Sequence, residues 1–288
     1  MATLVLEQML NGLQFGLMLF LLAAGLTLVF GIMDMINLAH GSLYMLGAYL
    51  VASIAAASGS FWVGLGGGVL ATAALGALLE VSVLRRLYQR DHLSQVLGTF
   101  ALLLMANEGV RMLWGSQPLQ LNPPPALAGP VELWPGFVYP AFRLFIIGVG
   151  LAVALALYLL VTQTRVGMQV RAGASNREMA LAMGTNVRRL FTALFALGAA
   201  LCAVAGGMLG PLLAVQVGMG ETILIPAFVV VVIGGMGSVL GALVASLLVG
   251  IVNAFGILAI PGGAVVLTFA LMAIVLIVRP HGLFGTPE

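Results

Sequence analysis

From residue 222 to residue 278 the chain runs for 57 residues without one Asp, Glu, Lys or Arg. Residues 35–79 form a second charge-free run of 45, and residues 8–33 a third of 26. A helix crossing a bilayer needs about 20 predominantly apolar residues. Inside lipid a segment must satisfy its own backbone hydrogen bonds, as a helix does. Runs of this length therefore fold as membrane helices. The whole chain agrees: 62% of its residues are hydrophobic and only 7% charged, where a soluble domain carries about 25% charged.

The punctuation between the runs gives the organisation. The uncharged run at residues 8–33 exceeds a secretory h-region of about 7–15 residues, so it reads as a retained first span. Asp34, Asn37 and His40 interrupt the chain after it. Residues 35–79 hold two spans split by the small residues 57–60. Arg85, Arg86, Arg90, Asp91 and His92 then cluster as a loop, and residues 93–114 form the next span. Residues 115–140 carry seven prolines, which forbid a helix; with Trp114 and Trp134, which suit the membrane–water boundary, they read as a partly extended outer loop. Residues 142–161 and 190–213 are further spans, with Glu221 in an outer loop. Pro226, residues 234–237 and residues 261–263 break the last run into two or three segments. The expected fold is an all-α polytopic membrane bundle of eight or nine helices forming a single domain, 1–288, with interrupted segments and the N-terminus outside.

Residues 163–189 carry five of the eleven basic residues, and the chain has no lysine. A basic island between apolar spans reads as a cytoplasmic loop under the positive-inside rule. Ser175 and Glu178 fit a capping box, Met179, Ala182 and Met183 fall on one helical face, and Gly184 is a natural stop. The spacing predicts a short amphipathic helix that docks into a partner or lies on lipid.

Glycines at interval four, such as Gly12/Gly16, Gly64/Gly68, Gly206/Gly210 and Gly237/Gly241, let helices approach closely in lipid. Gly41-Ser-Leu-Tyr-Met-Leu-Gly-Ala-Tyr-Leu-Val-Ala-Ser53 is weakly echoed by Gly237-Ser-Val-Leu-Gly-Ala-Leu-Val-Ala-Ser246, each after a break. Matching interrupted segments mark translocation sites in transporters; similarity between apolar Gly/Ala/Ser stretches is the competing reading. Helix N-termini at such breaks favour carboxylates. The polar groups that could meet a small substrate are Asn37, His40, Ser42, Tyr44 and Asn253, with the backbone around Gly234, Gly235, Gly237 and Ser238. Asn37 and His40 could equally cap the adjoining helices.

Several functions are excluded. A net charge of +2 gives no nucleic-acid footprint. The single cysteine, Cys202, reads as a small buried apolar residue and allows no internal disulfide. Three scattered histidines make no zinc site, so no metal is expected. A P-loop needs a lysine, so any ATP coupling must come from another chain. No carboxylate sits at the centre of a span, which argues against an ion-driven carrier; Glu80 and Glu108 read as locally paired or interfacial.

Gly25-Leu-Thr-Leu-Val-Phe-Gly31, Met35-Ile-Asn-Leu-Ala-His-Gly41 and Tyr44-Met-Leu-Gly-Ala-Tyr49 resemble the N-terminal signature of branched-chain amino acid ABC transporter permeases, the LivH-type subunit more than its LivM-type partner. Val232-Ile-Gly-Gly-Met-Gly-Ser238 resembles the family's second signature, and Arg279-Pro-His-Gly-Leu-Phe-Gly285 its ending. Glu178, Ala180 and Gly184 resemble the coupling loop of ABC importer permeases. The resemblance implies an inner-membrane importer subunit, not an enzyme, with its C-terminus cytoplasmic. Its partners would be two ATPase subunits carrying ATP and Mg, a LivM-like permease or a second copy, and a periplasmic binding protein. ATPase coupling would fall to Ser175, Arg177, Glu178, Ala180, Met183, Gly184, Arg188 and Arg189. Permeases for urea and short amides look similar over the same stretches, and an ion-coupled secondary carrier, its basic loop binding lipid, is the alternative from another class.

Overall fold

A computed structural model of the chain describes residues 2–33, 35, 37–260 and 262–285, with the side chains of Ala2, Ile32, Arg177 and Glu178 outside the description. Asp34 lies outside the described residues. The helices are α1 (Ala2–Met33), α2 (His40–Ser58), α3 (Phe61–Leu79), α4 (His92–Trp114), α5 (Ala141–Gln163), α6 (Arg165–Ser175), α7 (Arg177–Ala182), α8 (Val187–Leu213), α9 (Met219–Gly234), α10 (Val239–Ala259) and α11 (Ala264–Val278). After α3 the helix continues through a π-turn, Glu80–Leu84, and one further α-turn, Arg85–Leu87. Seven of these segments are long and apolar enough to cross a membrane, and α9 and α11 are shorter apolar helices. The fold is a polytopic helical membrane bundle.

α1 is apolar on every face, as a helix in the core of a bundle is; its first turns expose Leu4, Val5 and Met9, and its later turns are enclosed. From Leu17 to Leu26 its large side chains are at most 1% exposed, and α5, α8, α9 and α10 pack around it. α2 and α3 form a hairpin against α8. The small-residue spacing is what permits this closeness. Gly12 and Gly16 lie on the backbone of α10 at Ile251 and Ser246. Gly64, Gly68, Thr72 and Gly76 make a buried stripe along α3. By contrast α4 and α11 expose Met105, Met112, Leu113, Val266 and Ile277, as helices facing hydrocarbon do.

The two ends of the bundle differ. At one end a hairpin, β1 (Pro130–Trp134) and β2 (Phe137–Pro140), turns at Pro135-Gly136, where Gly136 takes φ +85°. Tyr139 OH donates to Asn11 Oδ1 at 2.9 Å, and Trp114 Nε1 donates to Ser53 Oγ at 2.6 Å. Leu119 and Val215 exchange backbone hydrogen bonds, tying the proline-rich loop to the turn after α8. At the other end lie the segments holding Arg85, Arg86, Arg90, Arg165, Arg171, Arg177, Arg188, Arg189 and Arg279, nine of the chain's eleven basic residues.

Three local expectations are corrected. Pro226 does not break the chain: it sits inside α9, because buried helices re-satisfy the one backbone group it frees. Glu221 belongs to the first turn of α9, not to a loop, and accepts from Asn107 Nδ2 of α4; an acid at this end complements the helix dipole. Ser175 is not an N-cap, as described below.

Candidate translocation site

α2 does not begin at the end of the bundle. Its first residue, His40, is fully buried, with Nε2 3.1 Å from the Leu22 carbonyl of α1 and 3.2 Å from Cys202 Sγ of α8. Leu22 lies eleven residues back from Met33, about 16 Å along the helix at 1.5 Å per residue. A polar helix start is therefore planted against α1 about a third of its length in from its C-terminal end. Gly41 and Gly220 meet there: a Cβ on Gly41 would stand 2.5 Å from the Gly220 carbonyl oxygen. The N-terminal turns of α2 and α9 thus touch backbone to backbone. Both present the positive end of a helix dipole.

Polar atoms around this junction are left over. Asn37 Oδ1 accepts from the Ala39 amide at 3.0 Å, a local turn bond. Asn37 Nδ2, His40 Nδ1, Ser42 Oγ and, on α1, Thr27 Oγ1 are buried without a hydrogen-bond partner. Each such orphan costs about 1–3 kcal/mol. Tyr44, one turn along α2, is 2% exposed. Asn37, His40, Ser42 and Tyr44 are thus all buried at the start of α2, with Cys202 against His40 as a neighbour that the sequence did not single out. Cys202 looked like a plain apolar residue because its polar neighbour is 162 positions away. Neither caps α2, whose N-cap Ala39 has no side-chain cap bond: Asn37 holds the turn ahead of the helix, and His40 reaches across to α1.

Gly234, Gly235, Gly237 and Ser238 lie elsewhere, at the arginine-rich end. Gly235 and Gly237 take φ of +92° and +83°. The C-terminal segment lies on them: Leu283 N donates to Ile233 O at 2.8 Å and Phe284 N to Gly234 O at 3.1 Å. These bonds supply partners for carbonyls that the end of α9 leaves open. Ser238 Oγ accepts from Gly241 N at 3.0 Å, capping α10. The echoed segments thus start α2 and α10 at opposite ends of α9, Gly41 against Gly220 and Gly241 against Gly234. Asn253 lines a separate cavity of about 380 Å³ between α1, α9, α10 and α11, beside Phe15, Pro226 and Thr268.

The basic segment folds as two helices. Thr164 Oγ1 accepts from Gly167 N and starts α6, which buries Gly167, Val170 and Gly173. Sequence reading missed α6 because glycines carry most of that face. Asn176, in extended backbone, ends α6 and caps α7, its Oδ1 accepting from Met179 N at 2.9 Å. The cap is therefore Asn176 in place of Ser175, which is the last residue of α6, and the side chain of Glu178 lies outside the described residues. Asn wins because a cap needs non-helical backbone, which Ser175 does not have. Gly184 does stop α7, at φ +82°. Gly184 N donates to Leu181 O and Thr185 N to Ala180 O, both at 3.0 Å, the Schellman pattern. Ala180 is buried, while Met179, Leu181 and Met183 are 60%, 52% and 80% exposed. Arg188 and Arg189 are exposed in the first turn of α8, where the dipole disfavours cations. Among the described residues no three His, Cys, Asp or Glu side chains converge as metal ligands.

A helical membrane bundle with a broken, polar centre and a presented apolar-and-basic surface at one end is the architecture of a transport permease. The chain belongs to the branched-chain amino acid transport system permease component family, which residues 8–278 match. It is 32% identical over 299 residues to the high-affinity branched-chain amino acid transport system permease protein BraD of Pseudomonas aeruginosa, covering 98% of this chain and 96% of that one. Against the permease protein LivH of Escherichia coli K12 it is 32% identical over 306 residues, with the same coverage. Against the probable permease LivH of Methanocaldococcus jannaschii it is 30% identical over 140 residues, 46% of this chain and 44% of that one. No solved structure matches the chain.

Proposed function

We propose that this chain is the membrane permease subunit of an ATP-driven importer of branched-chain amino acids. It would work with two separate ATPase subunits, a second permease and a periplasmic binding protein in the inner membrane. The observation that carries the reading is the near end-to-end match to BraD and LivH, both named as branched-chain amino acid permeases. The arginine-rich end is assigned to the cytoplasm, since nine of eleven basic residues gather there and positive loops stay inside. This puts the N-terminus outside and the C-terminus inside.

In this reading α7 seats in a groove on the ATPase through Met179, Leu181 and Met183, with Arg188 and Arg189 beside it. ATP and Mg bind the partner, whose closure pulls α7 and rocks α8 against α1. The substrate crosses past His40, where the N-terminal turns of α2 and α9 favour its carboxylate and the unpartnered Asn37, Ser42 and Thr27 offer hydrogen bonds. Branched side chains suit the apolar walls that α1 and α8 supply. A tagged pull-down from mild detergent, followed by uptake of labelled leucine in liposomes, tests this. Co-purification of a Walker-motif ATPase and ATP-dependent leucine uptake are expected. A chain that purifies alone and moves substrate on an ion gradient overturns the ATP-driven reading, and uptake of urea in place of leucine overturns the substrate.

A further inference from the structure

Glu80 takes no part in the translocation site, yet it is completely buried. Its Oε2 accepts from Arg85 Nη2 at 2.9 Å and from Thr192 Oγ1 at 2.6 Å. Its Oε1 accepts from Arg85 Nε and Tyr88 OH, each at 3.3 Å. Arg85 Nη2 also donates to Thr192 Oγ1 at 2.9 Å. The carboxylate thus closes a ring between the end of α3 and the second turn of α8, 112 positions away. Tyr88 adds an edge-to-face contact with Phe191, centroids 5.6 Å apart.

The local backbone is unusual at the same point. Glu80 opens the π-turn Glu80–Leu84. Such turns are rare and gather at functional sites. A buried carboxylate is costly unless it is paired and fully hydrogen-bonded, and this one has partners for both oxygens. A bidentate Arg–carboxylate pair also fixes orientation. The face that α3 buries is mostly glycine, Gly64, Gly68 and Gly76 with Phe61 and Thr72, and a glycine has no side chain to form a polar tie. The Glu80 ring adds that tie, a side-chain hydrogen-bonded junction between the end of α3 and α8.

Its position gives that junction a use. Only residues 183–186 separate α7 from α8, and the Gly184 and Thr185 amides fold that link back onto α7. Displacement of α7 is therefore delivered to the start of α8, and Thr192 lies one turn past Arg188. On the other side of the ring, the helix carries Arg85 and Arg86 and ends just before Arg90, at the same end of the bundle.

We propose that Glu80 is a positioning residue that locks α3 and its arginine loop to the base of α8, so that the stroke received by α7 moves the α2–α3 hairpin together with α8. The inference rests on the ATP-coupled reading above. It makes the 85–90 loop part of the moving body and not a passive connection. The ring acts through helix position alone; none of its members touches substrate or nucleotide.

The test uses the full chain reconstituted with its co-purifying ATPase and permease subunits and the binding protein, with labelled leucine as probe. Transport and ATP hydrolysis are measured in the same liposomes for the wild type, Thr192→Val, Thr192→Ser and Glu80→Gln. Thr192→Val keeps the side-chain shape and removes the hydroxyl. The expected result is unchanged co-purification and ATP hydrolysis within about twofold of wild type, with leucine moved per ATP falling at least fivefold. Thr192→Ser should restore the ratio, which a packing role would not predict. Glu80→Gln should fall further, because it removes the charge that binds Arg85. A wild-type ratio in Thr192→Val overturns the proposal even if Glu80→Gln fails to assemble. Wild-type uptake that ignores ATP overturns the importer reading itself, and is read in the wild-type sample before any variant is considered.

Discussion

Replacing Gly16 with alanine tests the packing argument most directly. A Cβ there would stand 2.7 Å from the Ser246 carbonyl oxygen and 3.1 Å from Leu247 Cα, against 3.4 Å or more for ordinary contact. The obstacles are backbone atoms of α10, so no side chain can turn aside. The helices must separate by about 0.7 Å at that point, and overpacking of this kind costs about 1–3 kcal/mol. Alanine also favours a helix over glycine by about 1 kcal/mol. Gly109→Ala in α4 carries the same helix gain, and a Cβ at Gly109 meets nothing within 4 Å. The helix contribution cancels between the two variants, leaving the clash. At about 2–4 °C per kcal/mol for a chain of this size, melting in detergent should place Gly16→Ala roughly 2–12 °C below Gly109→Ala. Equal melting temperatures would refute the claim that α1 and α10 are held in direct backbone contact.

Asn176→Ala should remove about 1 kcal/mol from α7 by deleting its cap and so weaken ATP-coupled transport in liposomes, whereas Ser175→Ala should leave it near wild type; the reverse order would restore Ser175 as the cap. Gly184→Ala forces a side chain into left-handed backbone at a cost of about 1–2 kcal/mol, and limited proteolysis should then cut the α7–α8 link faster. Asp91 caps α4, and its hydrogen bonds from the Ser94 hydroxyl and amide hold the carboxyl below its usual 3.8. With the folded value depressed, this stabilisation is full above pH 3.8 and fades as pH falls through the lower folded value. The melting gap between wild type and Asp91→Ala should therefore close only in strong acid; a gap that widens there would contradict the cap.

Much of the arrangement is legible in the residues because lipid imposes one-dimensional rules. Charge-free runs must be helices, arginines gather on one side, and glycines at interval four mark close crossings; residues 8–33, 163–189 and Gly12/Gly16 each followed from these. Helix starts were harder to place. Ser175 and Asn176 both satisfy a capping preference, and only the backbone of α6 decides between them. Pro226 looked like a break because the sequence does not show which carbonyls find other partners inside a bundle.

The sequence by itself determined a multi-pass helical membrane bundle, the basic segment with its Gly184 stop, and the polar residues Asn37, His40 and Ser42 at an interruption. Those features depend on composition and local spacing. Only the tertiary structure decided that His40 reaches Leu22 and Cys202, that the C-terminal segment lies on Gly234 and Gly235, and that Glu80 joins Thr192. Each of these joins residues far apart in the chain, and such pairings come from packing the helices in space, which no local spacing encodes.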